Sequence, residues 1–409
     1  MRFLRDKGYD ADLFVFANEP AHFHPSADSF DDEYKSYTYF IDWEKITDPA
    51  LRRDAISEQL KAYNYTIACG LAPAFLHETG IKLNMFIPYG SDLYDIPALY
   101  IRYRHLNGLI NSINRLFAFR KKFLYRLPKY LNRKLVSIDR FFVLYNQARN
   151  QFLGMKYADF MFHVPTNDTF ESALKKIDIE GTRLNASFPC IYTPLFNPET
   201  LGKLQHLSKH YQAFSDIREK YNLVVFHHSR LQWRTAPDQY SWRGNDKLIK
   251  GFAAYAKKYP TLNTALVLLE YGTDVEATKQ LIDSLGITDR VFWFEQMPRK
   301  ELLVALNLFD IGCSGHFIFS FIESGSIYES LAMAKPLLHH LDKNLYEKDF
   351  PEVYPYLNVN DENDVLMHLE NYAQNKEYYQ AEAKKGKAWL DKYAIEQPLE
   401  KIMQIISAN

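Results

Sequence analysis

Between residues 223 and 341 five short apolar runs alternate with helix-patterned segments, and that rhythm admits few folds. The runs are LVVFHH (223–228), TALVLLE (264–270), VFWF (291–294), DIGCS (310–314) and PLLHHL (336–341). Strands buried on both faces read as continuous apolar runs, and strands separated by helices pair in parallel. The intervening helices carry their own punctuation. One takes Asn245 as N-cap and ends before Pro260; the next pairs Thr273 with Glu276 in a capping box and stops at Gly286. Others are predicted over 298–308 and from about Ser326 to Ala334, with closing helices near 377–393 and 397–408. Five strands so connected predict a doubly wound domain.

The first half repeats this logic more faintly. LFVF (13–16) reads as a buried strand, and Asp48 and Pro49 open a helix with Leu51, Ala55, Ile56 and Leu60 on one face. A strand near 64–69, a short helix ending at Gly80 and a strand over 83–88 follow. The stretch 195–222 is polar and has no strand signal, which puts the domain junction there. A chain of 409 residues is long enough for two cores. The expected class is α/β: two doubly wound Rossmann-like domains facing a cleft, with ligands at the carboxyl ends of the strands. The expected limits are 1–197, 198–390, and a closing helix at 391–409 that returns to the first domain. Residues 1–8 read as the end of a helix closed by Gly8, so the first domain is expected to lack its first strand or to begin upstream.

Net charge is −1, which disfavours nucleic acid as a partner of the whole chain. The charge is uneven: residues 101–150 hold 12 Lys and Arg against one acid, Asp139. A helix over roughly 106–127, ended by Pro128, places Ile113, Leu116, Phe117, Phe123, Leu124 and Leu127 on one face. Arg115, Lys122 and Arg126 lie opposite. An apolar face with a cationic back suits an anionic membrane surface, and also a helix packed on a sheet. The three cysteines, Cys69, Cys190 and Cys313, have no metal-ligand spacing and fit a reducing compartment. Without a secretory or membrane-spanning run, the expected place is cytoplasmic, peripheral on the inner face of the membrane.

Candidate chemistry gathers at strand ends. Gly325 and Ser326 open a helix, where free N–H groups and the dipole favour an anion, and Glu329 lies one turn inside. Ser326 and Glu329 equally form a capping box that needs no ligand. Arg230 follows the 223–228 strand and Arg243 opens the next helix; together they suit a diphosphate, or singly a surface ion pair. Of His227 and His228, one side chain is expected toward the ligand and one toward the core. In the first half Gly90, Ser91 and Asp92 follow the 83–88 strand and suit an acceptor sugar or a helix cap. Trp233, Tyr240 and Trp242, between Arg230 and Arg243, suit ring stacking or packing.

An ordered series of these segments resembles the retaining glycosyltransferases of the GT-B fold, family 4 type. SRL (229–231) is similar to that family's GRL, and RGNDKLIKGFA (243–253) to its KG-x-x-x-LI-x-AF. LGITDRVFWF (285–294) and ESLAMAKPLL (329–338) are similar to LGL-x-DRV-x-F and EAMA-x-GKPV. YTIACGLAP (65–73) and PYGSDL (88–93) match more weakly. The resemblance implies that Arg230 and Arg243 bind the donor diphosphate, Gly325 and Ser326 cradle phosphate, and Glu329 holds the ribose. It implies Phe294 near the base, Gly272 at a strand end facing the donor, and Tyr89 where the family has an acceptor-side histidine. The family's first glutamate falls on Phe321 here, with Glu323 nearby as its substitute. The implied activity is metal-independent transfer from a UDP- or GDP-sugar to a lipid-linked or surface-glycan acceptor, as in polysaccharide biosynthesis. The nucleotide sugar is then a substrate and no cofactor is expected. Two alternatives stand: a degenerate, non-catalytic binder of a nucleotide sugar or partner protein, and a GT-B nucleotide-sugar epimerase.

Overall fold

The computed structural model describes residues 1–17, 24–41, 55–124, 129–163, 168–236 and 241–408. The helix predicted from Asp48 falls largely outside these residues, as does Tyr240. By their contacts the residues form two compact units, one of Met1–Ile41 with Pro189–Asn409 and one of Asp42–Phe188. The second break falls just before the junction predicted at 198. The first separates Met1–Ile41 from the residues with which they were expected to group. Polar contacts tie this N-terminal segment to its own unit: Tyr192 donates to Asp6, and Arg299 pairs with Asp28.

The larger unit contains a parallel pair, β1 (Leu13–Phe16) with β2 (Thr38–Ile41). The smaller has a four-stranded parallel sheet of β3 (Ile67–Ala68), β4 (Met85–Phe86), β5 (Phe160–His163) and β6 (Thr182–Asn185), in that order. Six more strands belong to the larger unit: β7 (Leu223–His227), β8 (Thr264–Glu270), β9 (Val291–Glu295), β10 (Ile311–Cys313), β11 (Leu337–His339) and β12 (Leu357–Asn358). Their order is β12-β11-β10-β7-β8-β9, all parallel, so every carboxyl end lies along one edge. The order reverses between β7 and β10, the place where doubly wound sheets open to ligands.

Alternate residues of β7 and β8 feed two cores. Val224, Phe226, Val267 and Leu269 bury into one face; Leu223, Val225, Leu266 and Leu268 into the other. The five predicted strands are present, and β12 is a sixth. Two caps differ from expectation. The helix α3 (Asn245–Lys258) starts after Gly244, because Asn245 Oδ1 accepts from Gln232 N at 2.8 Å and its Nδ2 bonds His227. The helix α4 (Val275–Leu285) is capped at Asp274 without the Thr273–Glu276 box, since Asp274 Oδ2 collects the N–H groups of Trp233, Arg234 and Thr235. Both departures serve one loop, 231–235, which leads out of the sheet's ligand edge.

Gly272 fixes the start of that loop. Its φ is +118°, and a Cβ there would lie 2.3 Å from Leu231 O. Leu231 N donates to Tyr271 O at 2.7 Å, and Asp274 N to Leu231 O at 3.1 Å, so the two backbones are clamped together. Gly272→Ala is expected to destabilise the chain by about 3 kcal/mol or more, through a disallowed φ and a backbone clash. Urea unfolding checks it; a midpoint equal to wild type contradicts the clamp.

In the smaller unit two long helices occupy the basic stretch, α1 (Asn107–Leu124) and α2 (Lys129–Lys156). α1 matches the predicted helix; α2 was not foreseen. Ile110 buries against Phe142 and Tyr145 of α2. Leu109, Ile113 and Leu116 share a different face and are 58%, 46% and 65% exposed. Arg115 is exposed too, whereas Arg126 and the Lys122 side chain lie outside the described residues. Among the described residues no helix is long and apolar enough to cross a membrane.

Candidate functional site

At the carboxyl edge of the six-stranded sheet lies a cavity of about 330 Å³. His228, Ser229 and Arg230 enter it from β7, and Leu269 and Tyr271 from β8. Gln296 and Met297 come from β9, and His316 follows β10. The helix α5 (Arg299–Leu308) supplies Arg299 and Leu302; α6 (Gly325–Ala332) supplies its N-terminal turn and Glu329, and Arg243 precedes α3.

Three arginines therefore meet at this cavity. Arg230 is exposed, and among the described residues no carboxylate pairs with it. Arg243 donates from Nη1 to one ring nitrogen of His316, Nε2 lying at 2.9 Å. Accepting that bond requires a neutral ring. Burial, with the charges of Arg243 and Arg230 nearby, holds the His316 pKa well below the usual range. Arg299 gives Nε to Glu329 Oε1 and Nη1 to Asp28 Oδ2, both at 2.9 Å.

Glu329 is buried, and both its oxygens are engaged by the protein. Oε2 meets His228 Nε2 at 2.9 Å, and Oε1 takes the Arg299 bond. Burial alone would raise its pKa, but the His228 hydrogen bond and the Arg299 charge outweigh it and hold the carboxyl at about 2. The carboxylate predicted to hold a ribose is thus also the hinge of an ion-pair network. The capping box drawn from Ser326 to Glu329 is not formed. Ser324 is the N-cap and accepts from Ile327 N at 3.4 Å, while Ser326 donates to Ser314 O. Gly325 and Ser326 still line the cavity at the helix start.

Alternation along β7 sorts the two histidines as expected. His228 lines the cavity; His227 is buried, bonded to Asn245, its pKa lowered to about 3 by burial. His339, unassigned from the sequence, is buried under the loop after β10. It bonds Ser314 Oγ and Phe321 O, both at 2.8 Å, and so ties down that loop.

Other predicted positions fall elsewhere. Phe294 packs against Phe214 with centroids 5.0 Å apart, because this end of β9 faces the core. Gly272 meets the Leu231 backbone, and neither it, Phe294 nor Glu323 is among the lining residues. Trp233 gives its indole N–H to Thr278, and Trp242 is exposed. In the smaller unit Tyr89 is exposed and Gly90 has φ +140°. Asp92 turns inward beneath Ser91, accepting from Gly70, Tyr89 and Gly90 N at 2.9 to 3.1 Å. Burial raises its pKa to about 6 against those N–H groups. Asp92 is the organiser of this turn, so its carboxylate is not presented to an acceptor.

The residue missed from sequence is Arg299. A signal was there: a cation at the first position of a helix opposes the dipole and needs a partner of its own. Among the described residues no group of three or more His, Cys, Asp or Glu is placed to hold a metal ion.

Neither a family model nor a curated protein sequence matches the chain. Solved structures do match in fold. HepE of Anabaena, determined with UDP, is 12% identical and aligns over 98% of this chain and 99% of its own, with a TM-score of 0.53. The same protein with UDP-glucose aligns over 97% and 99%, at 13% identity and a TM-score of 0.52. Sucrose-phosphate synthase of Thermosynechococcus elongatus is 13% identical over 99% of this chain and 91% of its own, with a TM-score of 0.50. At such identities the likeness is one of fold, and the chain has the GT-B fold that its sequence resembles.

Proposed function

We propose that the chain is a glycosyltransferase that moves a sugar from a UDP- or GDP-linked donor, with retention and without a bound metal. The observation that carries this reading is the charge of the cavity. Three arginines and a helix N-terminus face it, and the one carboxylate among its described lining residues, Glu329, already bonds His228 and Arg299. A diphosphate complements that excess, and charge on the departing phosphate is what transfer must neutralise. HepE, alike in fold, holds UDP and UDP-glucose, and we extend that ligand class to this cavity. The test is release of nucleoside diphosphate from UDP- and GDP-hexoses. Faster release in the presence of a glycan or lipid-linked acceptor is expected; background release from every donor contradicts it.

One observation favours a second reading, a nucleotide binder without transfer. Phe321 stands where the family's first glutamate is expected, and its ring lies 4.8 Å from that of His316. Binding of a diphosphate with no turnover supports that reading.

The acceptor side includes the exposed stripe of α1. Leu109, Ile113 and Leu116, with Arg115 on the same helix, suit a peripheral contact with anionic lipid. Changing the three apolar residues to Ser is expected to weaken binding to vesicles half phosphatidylglycerol by about tenfold or more. Equal sedimentation of variant and wild type contradicts the contact.

A further inference from the structure

Four side chains far apart in sequence form one chain of contacts: Asp28, Arg299, Glu329 and His228. Three of them line the cavity; Asp28 does not, and reaches it only through Arg299. Its place is set from two further directions. Arg2 Nη2 donates to Asp28 O at 2.6 Å, and Lys300 Nζ donates to Ser29 O at 2.8 Å. Arg299 also gives Nη1 to Cys190 O at 3.2 Å, so Nε and Nη1 are both committed to the protein. Among the described residues Nη2 has no acceptor. The guanidinium is planar, so fixing two of its nitrogens fixes the third.

We propose that Asp28 is a positioning residue for this cavity: it orients Arg299, which holds Glu329 in place and offers its remaining amino group to the ligand's phosphates. The inference rests on the reading of the cavity as a nucleoside-diphosphate site. It makes the segment ending at Asp28, remote in sequence from every motif of the cavity, part of the binding machinery. Glu329 holds only Nε; on Nη1 the Asp28 carboxylate at 2.9 Å is the nearer acceptor and the charged one, and the Cys190 carbonyl at 3.2 Å is the weaker.

The experiment is titration of the full chain with UDP and with GDP. It compares wild type, Asp28→Asn, Asp28→Glu, Arg299→Lys and the double variant that joins Asp28→Asn to Arg299→Lys. Asp28→Asn is expected to weaken binding about tenfold, the size of one charge-assisted hydrogen bond. Asp28→Glu, which keeps the charge, restores most of the loss. In the Arg299→Lys background Asp28→Asn adds little, because both act through one contact. A merely structural Asp28 gives full additivity and no rescue by Glu, and either result overturns the inference. If Asp28→Asn does not fold, Arg2→Ala loosens the same residue through its carbonyl; weaker binding is expected, and unchanged binding contradicts it. A wild type that binds neither nucleotide overturns the reading of the cavity and this inference with it. A wild type that binds, with Asp28→Asn its equal, overturns this inference alone.

Discussion

Arg230→Ala is expected to weaken binding of the nucleoside diphosphate by about 10- to 100-fold, the loss of a charge-assisted contact to phosphate. The apo protein should melt where wild type does. Arg230 is exposed, follows a fully buried strand, and pairs with no carboxylate among the described residues. Exposed substitutions away from caps and networks change stability by about 0.5 kcal/mol or less. Few positions separate function from stability so cleanly, because the clamp at Gly272 and Leu231 holds the backbone without help from the arginine. Calorimetric titration decides the matter. Affinity equal to wild type removes Arg230 from the site, and a large drop in melting temperature shows that it supports the fold instead.

Glu329→Gln is expected to do the reverse and damage the fold first. Removing one partner of a buried ion pair costs about 3–5 kcal/mol, because the other charge is left uncompensated. Here Arg299 keeps Asp28 as a second partner, so the cost is expected at the lower end of that range. The same carboxylate makes stability depend on pH. Its folded pKa, about 2, lies below its ordinary 4.5. The unfolded chain therefore binds the proton first as pH falls. The stabilisation, about 3 kcal/mol for a shift of this size, is complete above pH 4.5 and is lost as pH drops toward 2. Urea unfolding across that window should show a wild-type slope that Glu329→Gln flattens. Parallel curves for the two proteins contradict the network.

The six-stranded sheet was legible from its central strands: β7 is buried throughout and β8 in all but its last residue, and such mostly apolar runs stand out without periodicity. The strands that escaped notice are short or polar. β6 reads TRLN and is mostly exposed; β12 has two residues at the sheet's edge. The motif residues Arg230, Arg243, Gly325, Ser326 and Glu329 do converge on one cavity. What a local reading could not supply is the choice between neighbouring caps. Thr273 and Asp274 are both competent, as are Ser324 and Ser326. Tertiary demand decides each pair: Asp274 is claimed by the 233–235 loop and Ser326 by Ser314 O. The partners of Arg299 were illegible for the same reason. They lie 271 residues before it and 30 after it, separations that no spacing rule spans.

The most direct test of the nucleotide site is the melting temperature of the wild-type chain against UDP, GDP, ADP and CMP, each with and without Mg²⁺. A ligand at 100 times its dissociation constant stabilises the native state by about 2.7 kcal/mol. UDP or GDP is expected to raise the melting point, and to do so without the metal. No shift with any diphosphate, or a shift that requires Mg²⁺, contradicts a site built from three arginines and a helix N-terminus.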